Sequence, residues 1–258
     1  MKKKSPGIIT LTVLFALALA GTSCNREQAP NKGVANVPPE QSKMIEAKKN
    51  AIESSKKIVV AKVNGVEIST YDLINEMNMV APQYVKPGQT RDPGVDEKVK
   101  KEALDRLIYR ELAVEEAVRQ GMKAAPEKVE DELKKMKADL KTEDAYRGKL
   151  AQAGLTEEEL KKQIERGLLV EMITEKEIFG KVKVAPTDVE KAYAKGKASY
   201  RDASGNPMSF DNARPLIEEE LMKAAVARRE DEWTAGLKKT ARIEITLDHT
   251  AGGIHAVR

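Results

Sequence analysis

The sequence predicts a mainly α-helical domain closed by a small antiparallel sheet, which an N-terminal hairpin and a C-terminal strand form together. Three observations lead there. Of 258 residues, 33% are charged and only 4% aromatic, a mixture that suits long solvated helices and speaks against a β-sandwich. Apolar residues recur every three or four positions through most of the stretch from 70 to 239. β-branched runs stand mainly at the two ends of that stretch, around 58–68 and 242–247. Three short strands hold only if they meet and pack on helices, so the 242–247 strand is expected beside the hairpin.

The leader comes first. Lys2–Lys4 precede an uncharged run from Ile8 to Ala20, then Gly21, Thr22, Ser23 and Cys24. The run is short of the about 20 apolar residues that cross a bilayer core, and it has the three-part form of a secretory signal peptide. Cys24, the single cysteine, follows the small-residue cleavage site, an arrangement that resembles a bacterial lipoprotein signal. That resemblance implies acylation at Cys24, although Gly21 stands where Leu is usual. An ordinary signal peptide with an incidental cysteine and a retained anchor are the alternatives. Without Lys2–Lys4, 42 basic residues face 41 acidic ones, which leaves no electrostatic footprint for nucleic acid. One cysteine also excludes an intramolecular disulfide, so packing must hold the domain.

Asn25–Pro39 is rich in Pro, Asn, Gln and Gly, and 40–57 turns to Lys, Glu, Ala and Ser, either a frayed helix or a coil. A flexible stretch of about 30 residues spans roughly 30 Å, enough to hold a domain clear of a lipid surface. The expected organisation is a signal peptide at 1–23, a lipidated tether at 24–56, a folded domain at 57–247 and a loose tail at 248–258.

Within the domain, Ile58–Val63 is β-branched, Asn64-Gly65 is a two-residue hairpin signal, and Val66–Ile68 is the return strand. Ser69 with Asp72 reads as a helix cap, with Ile68 and Leu73 as its hydrophobic staple. That helix runs to Pro82, and Gln83–Gly94 is loop. A long helix is expected over Val95–Gln120, its buried stripe carrying Val99, Ala103, Leu104, Leu107, Ile108 and Leu112. Gly121 suits the position after its end. Pro126 opens the next helix, with Val129, Leu133, Met136 and Leu140 on one face.

A shorter helix over Glu143–Ala153 ends at Gly154, and Thr156 with Glu159 caps another that runs through Ile164, Leu169 and Ile173 toward Gly180. Val182 and Val184 read as a brief extended piece, and Pro186 with a Thr187/Glu190 box as the next start. Residues 196–209 break the pattern, with Gly205-Asn206-Pro207 as a turn. A last helix is expected over Asn212–Lys239, with Pro215 restricting its start. Ile217, Leu221, Ala224, Ala225, Arg228, Trp233 and Leu237 lie near one face of it.

Several stretches together resemble the SurA/PrsA family of exported chaperones. They are Val59–Ser69 followed by a helix, Ala103–Leu112, Gly154–Leu160, Pro215–Leu221 and Ala241–Ile245, in the family's order. The resemblance spans most of 57–247 and implies a multi-helix chaperone domain. Members that isomerise prolyl bonds carry a parvulin domain before the closing helix. Here only residues 196–211 stand in that place, far below the roughly 50 residues a domain needs. Parvulin sites also use paired histidines, whereas His249 and His255 lie in the tail.

Other chemistry finds no anchor in the sequence. Two tail histidines without a nearby cysteine make no convincing metal site. A Gly-rich phosphate loop and a nucleophile elbow are both missing, so no catalytic residue and no cofactor are expected. Seven methionines, at 77, 79, 122, 136, 172, 208 and 222, either fill the core or offer an adaptable surface. The resemblance and the leader imply an ATP-independent chaperone of the periplasm, held by lipid at Cys24, most simply in the outer membrane. Its partners would be unfolded or partly folded exported polypeptides. A residual prolyl isomerase, or an assembly lipoprotein that binds one folded partner, are the competing readings.

Overall fold

A tight turn sets the register of the sheet. Asn64 (φ 48°) and Gly65 (φ 91°) both adopt left-handed backbone, as a two-residue hairpin turn requires. They join β1 (Val59–Val63) to β2 (Val66–Ser69), with Val63 opposite Val66 and Ala61 opposite Ile68. The third strand, β3 (Ile243–Ile245), pairs antiparallel with the other side of β1, placing Ile243 opposite Val63 and Ile245 opposite Ala61. The order β2-β1-β3 is the closure expected from the sequence. The structure is a computed structural model, and it describes residues 39–85, 92–196 and 199–246.

Helices α1 (Pro39–Lys57), α2 (Thr70–Val80), α3 (Pro93–Arg119), α4 (Pro126–Asp139), α5 (Glu143–Ala153), α6 (Glu157–Glu177), α7 (Pro186–Gly196) and α8 (Phe210–Thr240) complete the fold. Capping chemistry sets several starts. Ser69 and Asp72 form a reciprocal capping box at α2, and Thr156 and Glu159 another at α6. Asp92 caps α3 by accepting from Val95 N at 3.0 Å, so that helix begins at Pro93, just ahead of the expected Val95.

Four apolar clusters lie along the long helices. The first joins Val60, Ala61 and Val63 of β1 to Leu73, Met77 and Val80 of α2 and to Val99–Leu112 of α3. The second gathers Ala113, Val114 and Ala117 of α3, Leu169, Val170 and Ile173 of α6, and Trp233 of α8. A third holds Leu133, Tyr146, Leu160 and Ile164, from α4, α5 and α6. The fourth packs Val189 of α7 against Ala213 and Ile217 of α8. Helices α3 and α6 each serve two clusters, and α8 serves three, because Leu237 also packs against the first.

Several expectations are corrected. The 40–57 stretch, open between coil and frayed helix, is helix from Pro39 and touches the α5–α6 turn. There Lys56 Nζ donates to Gly154 O at 2.7 Å. Val182 is extended (φ −94°, ψ 132°), as expected, but pairs with no strand: Phe179–Lys181 before it is a 3₁₀ turn, and Val184 packs against the fourth cluster. Ala185 O accepts from Asp188 N and Val189 N, so α7 opens at Pro186 and Thr187 lies inside the helix, where it cannot cap it. Helix α8 begins at Phe210 behind Ser209, whose hydroxyl accepts from Asn212 N at 3.4 Å. Pro215 therefore sits inside the helix, where it withholds one main-chain bond.

The single face expected for the last helix is instead two faces. Ala213, Ile217 and Leu221 turn to α7, Trp233 and Leu237 turn to α3, and Ala224 and Arg228 between them are exposed. Met77, Met122, Met136 and Met208 pack into the four clusters, Met79 and Met172 are half-buried outside them, and Met222 is exposed.

Gly154 and Gly121 provide a paired test of one packing contact. Both have positive φ (59° and 76°), but a Cβ on Gly154 would lie 2.6 Å from Ile52 Cγ2, whereas one on Gly121 meets nothing within 4 Å. Gly121→Ala is expected to lose only the left-handed backbone cost, about 1–2 kcal/mol. Gly154→Ala is expected to lose more, because Ile52 of α1 must also move. Urea unfolding followed by fluorescence of the single tryptophan measures the difference, and equal losses would mean α1 yields without cost.

Candidate functional site

An open cleft of about 610 Å³ lies between α3 and α8. From α3 it is lined by Lys98, Lys101, Glu102, Asp105, Arg106 and Tyr109. That spacing is the polar face of a helix whose opposite stripe is core. Glu230, Asp231, Thr234, Ala235 and Lys238 form the α8 wall, and Tyr84 stands at the mouth.

At the floor, the Tyr109 ring meets Trp233 edge-on with centroids 5.9 Å apart, and its hydroxyl lies 3.2 Å from Thr174 Oγ1. Burial raises the Tyr109 hydroxyl above its ordinary pKa. The Tyr84 hydroxyl donates to Glu102, which also accepts from Arg106 at 2.6 Å. Arg106 and Arg110 converge on the buried Glu76 at 3.9 and 2.8 Å, anchoring α3 to α2. Lys238 spans the cleft to Asp105 at 3.2 Å. These contacts make a mixed, amphipathic trough rather than a single-sign one.

Behind the trough, a polar network ties α3, α6 and α8 together. Gln120 donates to Glu116 at 2.6 Å and to Glu177 at 3.2 Å, while Arg229 donates to the Glu177 carbonyl at 2.8 Å. The Glu116 carboxyl is held low by its hydrogen bond from Arg119, and that of Glu177 by its bond from Lys181, against the opposing effect of burial. Glu230 differs: burial pushes its carboxyl up and neighbouring Asp231 adds to the shift.

Chemically, the arrangement can hold apolar and charged groups by contact. No cluster of three or more His, Cys, Asp or Glu side chains able to hold a metal occurs among the described residues. No described helix is long and apolar enough to cross a membrane. Cys24, His249 and His255 lie outside the described residues. The sequence reading named no residue of the cleft as a contact site. Its signal was available in the six-residue polar stripe of α3, but nothing in the sequence showed that α8 would face it.

Comparison with known families places this architecture. A family model described as the SurA-like N-terminal domain matches residues 1–174. The chain belongs to the SurA-like N-terminal domain family, and its domain is of the SurA-like chaperone type. The matched span ends inside α6, so α7, α8 and β3, including one wall of the cleft, lie beyond it. No curated protein matches the chain.

The two kinds of carboxyl predict opposite pH responses. Glu177 has a lowered pKa, so its contribution is present above the ordinary carboxylate value and is lost as pH falls through the folded-state value. Glu177→Gln is expected to flatten the acid limb of the stability profile. Glu230 has a raised pKa, so stability is lost as pH rises from its ordinary to its folded-state value. Glu230→Gln is expected to stabilise the protein at neutral pH. Unfolding titrations from pH 3 to 8, about the range of carboxylate linkage, test both, and a destabilised Glu230→Gln would contradict the assignment.

Proposed function

We propose that this chain is a lipid-anchored, ATP-independent holdase for unfolded exported polypeptides. The observation that carries the reading is the match to the SurA-like N-terminal domain over more than half of the chain. Two features support it. Leu216 and Met222 are exposed on α8, at 52% and 38% relative accessibility. The cleft between α3 and α8 offers aromatic and charged groups together. Weak, reversible contacts of this kind lower the free concentration of aggregation-prone chain and need no chemistry.

Acylation at Cys24 would tether the domain, with 25–38 as spacer, and the periplasmic face of the outer membrane is the proposed site. Stable anchoring needs more than one acyl chain. The chain is proposed to act without prolyl isomerisation, because the 196–211 stretch leaves no room for a parvulin domain. Clients, rather than one folded partner, are the proposed ligands.

Near-stoichiometric whole chain is expected to suppress aggregation of an unrelated denatured protein on dilution, without nucleotide. No suppression by demonstrably folded protein sinks the holdase reading. Replacing both Leu216 and Met222 by Asp is expected to weaken client affinity roughly tenfold, a loss of about 1.4 kcal/mol and less than one buried large side chain contributes. Cys24→Ala is expected to release the protein from the membrane fraction, and unchanged retention would remove the anchor from the proposal.

A further inference from the structure

The open side of the sheet is chemically defined by its register. Asn64 N donates to Arg242 O at 2.8 Å and Thr246 N to Val60 O at 3.0 Å, and Lys62 lies opposite Glu244 between them. An antiparallel ladder alternates, so the N–H and C=O groups of Ile243 and Ile245 point away from β1. Strand β3 has no strand neighbour on that side among the described residues. The side chains there also follow a pattern. Ile243 and Ile245 share a face with the buried Ala61 and Val63; Ile243 packs against the first cluster, while Ile245 remains 54% exposed.

The opposite face carries charge. Across the three strands run Glu67, Lys62 and Glu244, with Lys62 Nζ 2.8 Å from Glu67. Two carboxylates thus flank one ammonium. Arg242 reaches Glu244 along the strand at 2.5 Å, but its own side chain is 83% exposed. The position directly across from Glu244 is a non-hydrogen-bonded pair site, where cross-strand side chains approach most closely.

We propose that β3 takes up an extended segment of an unfolded polypeptide as a fourth, antiparallel strand, selecting a basic residue flanked by two apolar ones. The proposal rests on the holdase reading and names a substrate class for it. Main-chain groups of Ile243 and Ile245 supply sequence-independent hydrogen bonds. Ile243 and Ile245 receive the apolar side chains, and Glu244 the cation, which continues the alternating row. A second copy is the competing occupant. A three-residue edge falls far short of the roughly 800 Å² per partner that a stable dimer buries, whereas it suits a transient client.

The test uses the full-length chain and a fluorescein-labelled peptide centred on Val-Lys-Val, read by anisotropy. The same peptide with Glu for Lys is expected to bind roughly three- to tenfold more weakly, since like charges directly opposite repel. Glu244→Lys is expected to reverse that preference. Ile245→Pro removes an outward N–H that β1 does not use, a position where an edge strand tolerates proline. It is expected to abolish peptide binding with an unchanged circular dichroism spectrum. Binding that is indifferent to both substitutions overturns the proposal. So does a dimer in sedimentation that Ile245→Pro dissociates, which would assign the edge to a second copy. Wild-type suppression of aggregation without binding of either peptide removes the edge from client capture and leaves the holdase reading standing. Loss of suppression in the wild type removes that reading itself.

Discussion

The junction of α3, α6 and α8 around Trp233 is the contact on which the rest of the molecule depends. Each of these helices is longer than any single cluster it serves. Helix α3 carries Val99–Leu112 into the sheet cluster and Ala113–Ala117 into the junction; α6 carries Leu160 and Ile164 into the third cluster and Leu169–Ile173 into the junction. Helix α8 brings Trp233 to the same place and continues to α7 in one direction and β3 in the other. Without the junction, four small clusters would stand separately, each too small to offset the ordering of its own chain. The edge-on pairing of Trp233 with Tyr109 adds about 0.5–1.5 kcal/mol to the area it buries, and it fixes the rotation of α8 on α3.

Polar groups refine what the apolar junction starts. Apolar packing tolerates sliding along a helix, but a buried carboxylate must keep its partners or bear a large desolvation cost. Glu177 sits where α6 ends, bonded by Lys181 and Gln120, with Arg229 of α8 on its carbonyl. Glu76 is gripped by two arginines one turn apart on α3. Together with Asn64, whose side chain accepts from Arg242 N at 2.7 Å, they set the register between elements far apart in sequence.

Local signals were legible wherever the chemistry was local. The Asn64-Gly65 turn, the Ser69 and Thr156 caps and the Gly154 stop each depend on residues within four positions, and each stands where the sequence puts it. The pairing of β3 with β1 was also inferable, because three short strands have no other way to be stable. Failures came where distant packing decides. The last helix starts at Phe210, two residues before the expected Asn212, because the Ser209 cap and the burial of Ala213 against α7 outweigh the main-chain bond that Pro215 withholds. The α1 stretch has few large apolar residues, and its docking depends on Gly154 leaving room for Ile52, a relation over about a hundred residues that no local pattern encodes. The cleft was hidden for a similar reason: its two walls come from helices separated by more than a hundred positions.

A fold with shared helices necessarily leaves surfaces that no cluster covers. The middle of α8 passes from one cluster to the next, so Met222, Ala224 and Ala227 are exposed. The sheet is built from the two ends of the folded segment, so its last strand is an edge by topology. Proteins usually protect such an edge by keeping it short and charged, and β3 is both, with three residues and Glu244 at its centre. Devices of this kind disfavour permanent pairing between copies, and they are compatible with a brief, weak pairing with an extended chain. Short edges and isolated apolar side chains are poor at holding one partner tightly and adequate for holding many loosely, and that balance is what reversible capture of unfolded chains requires.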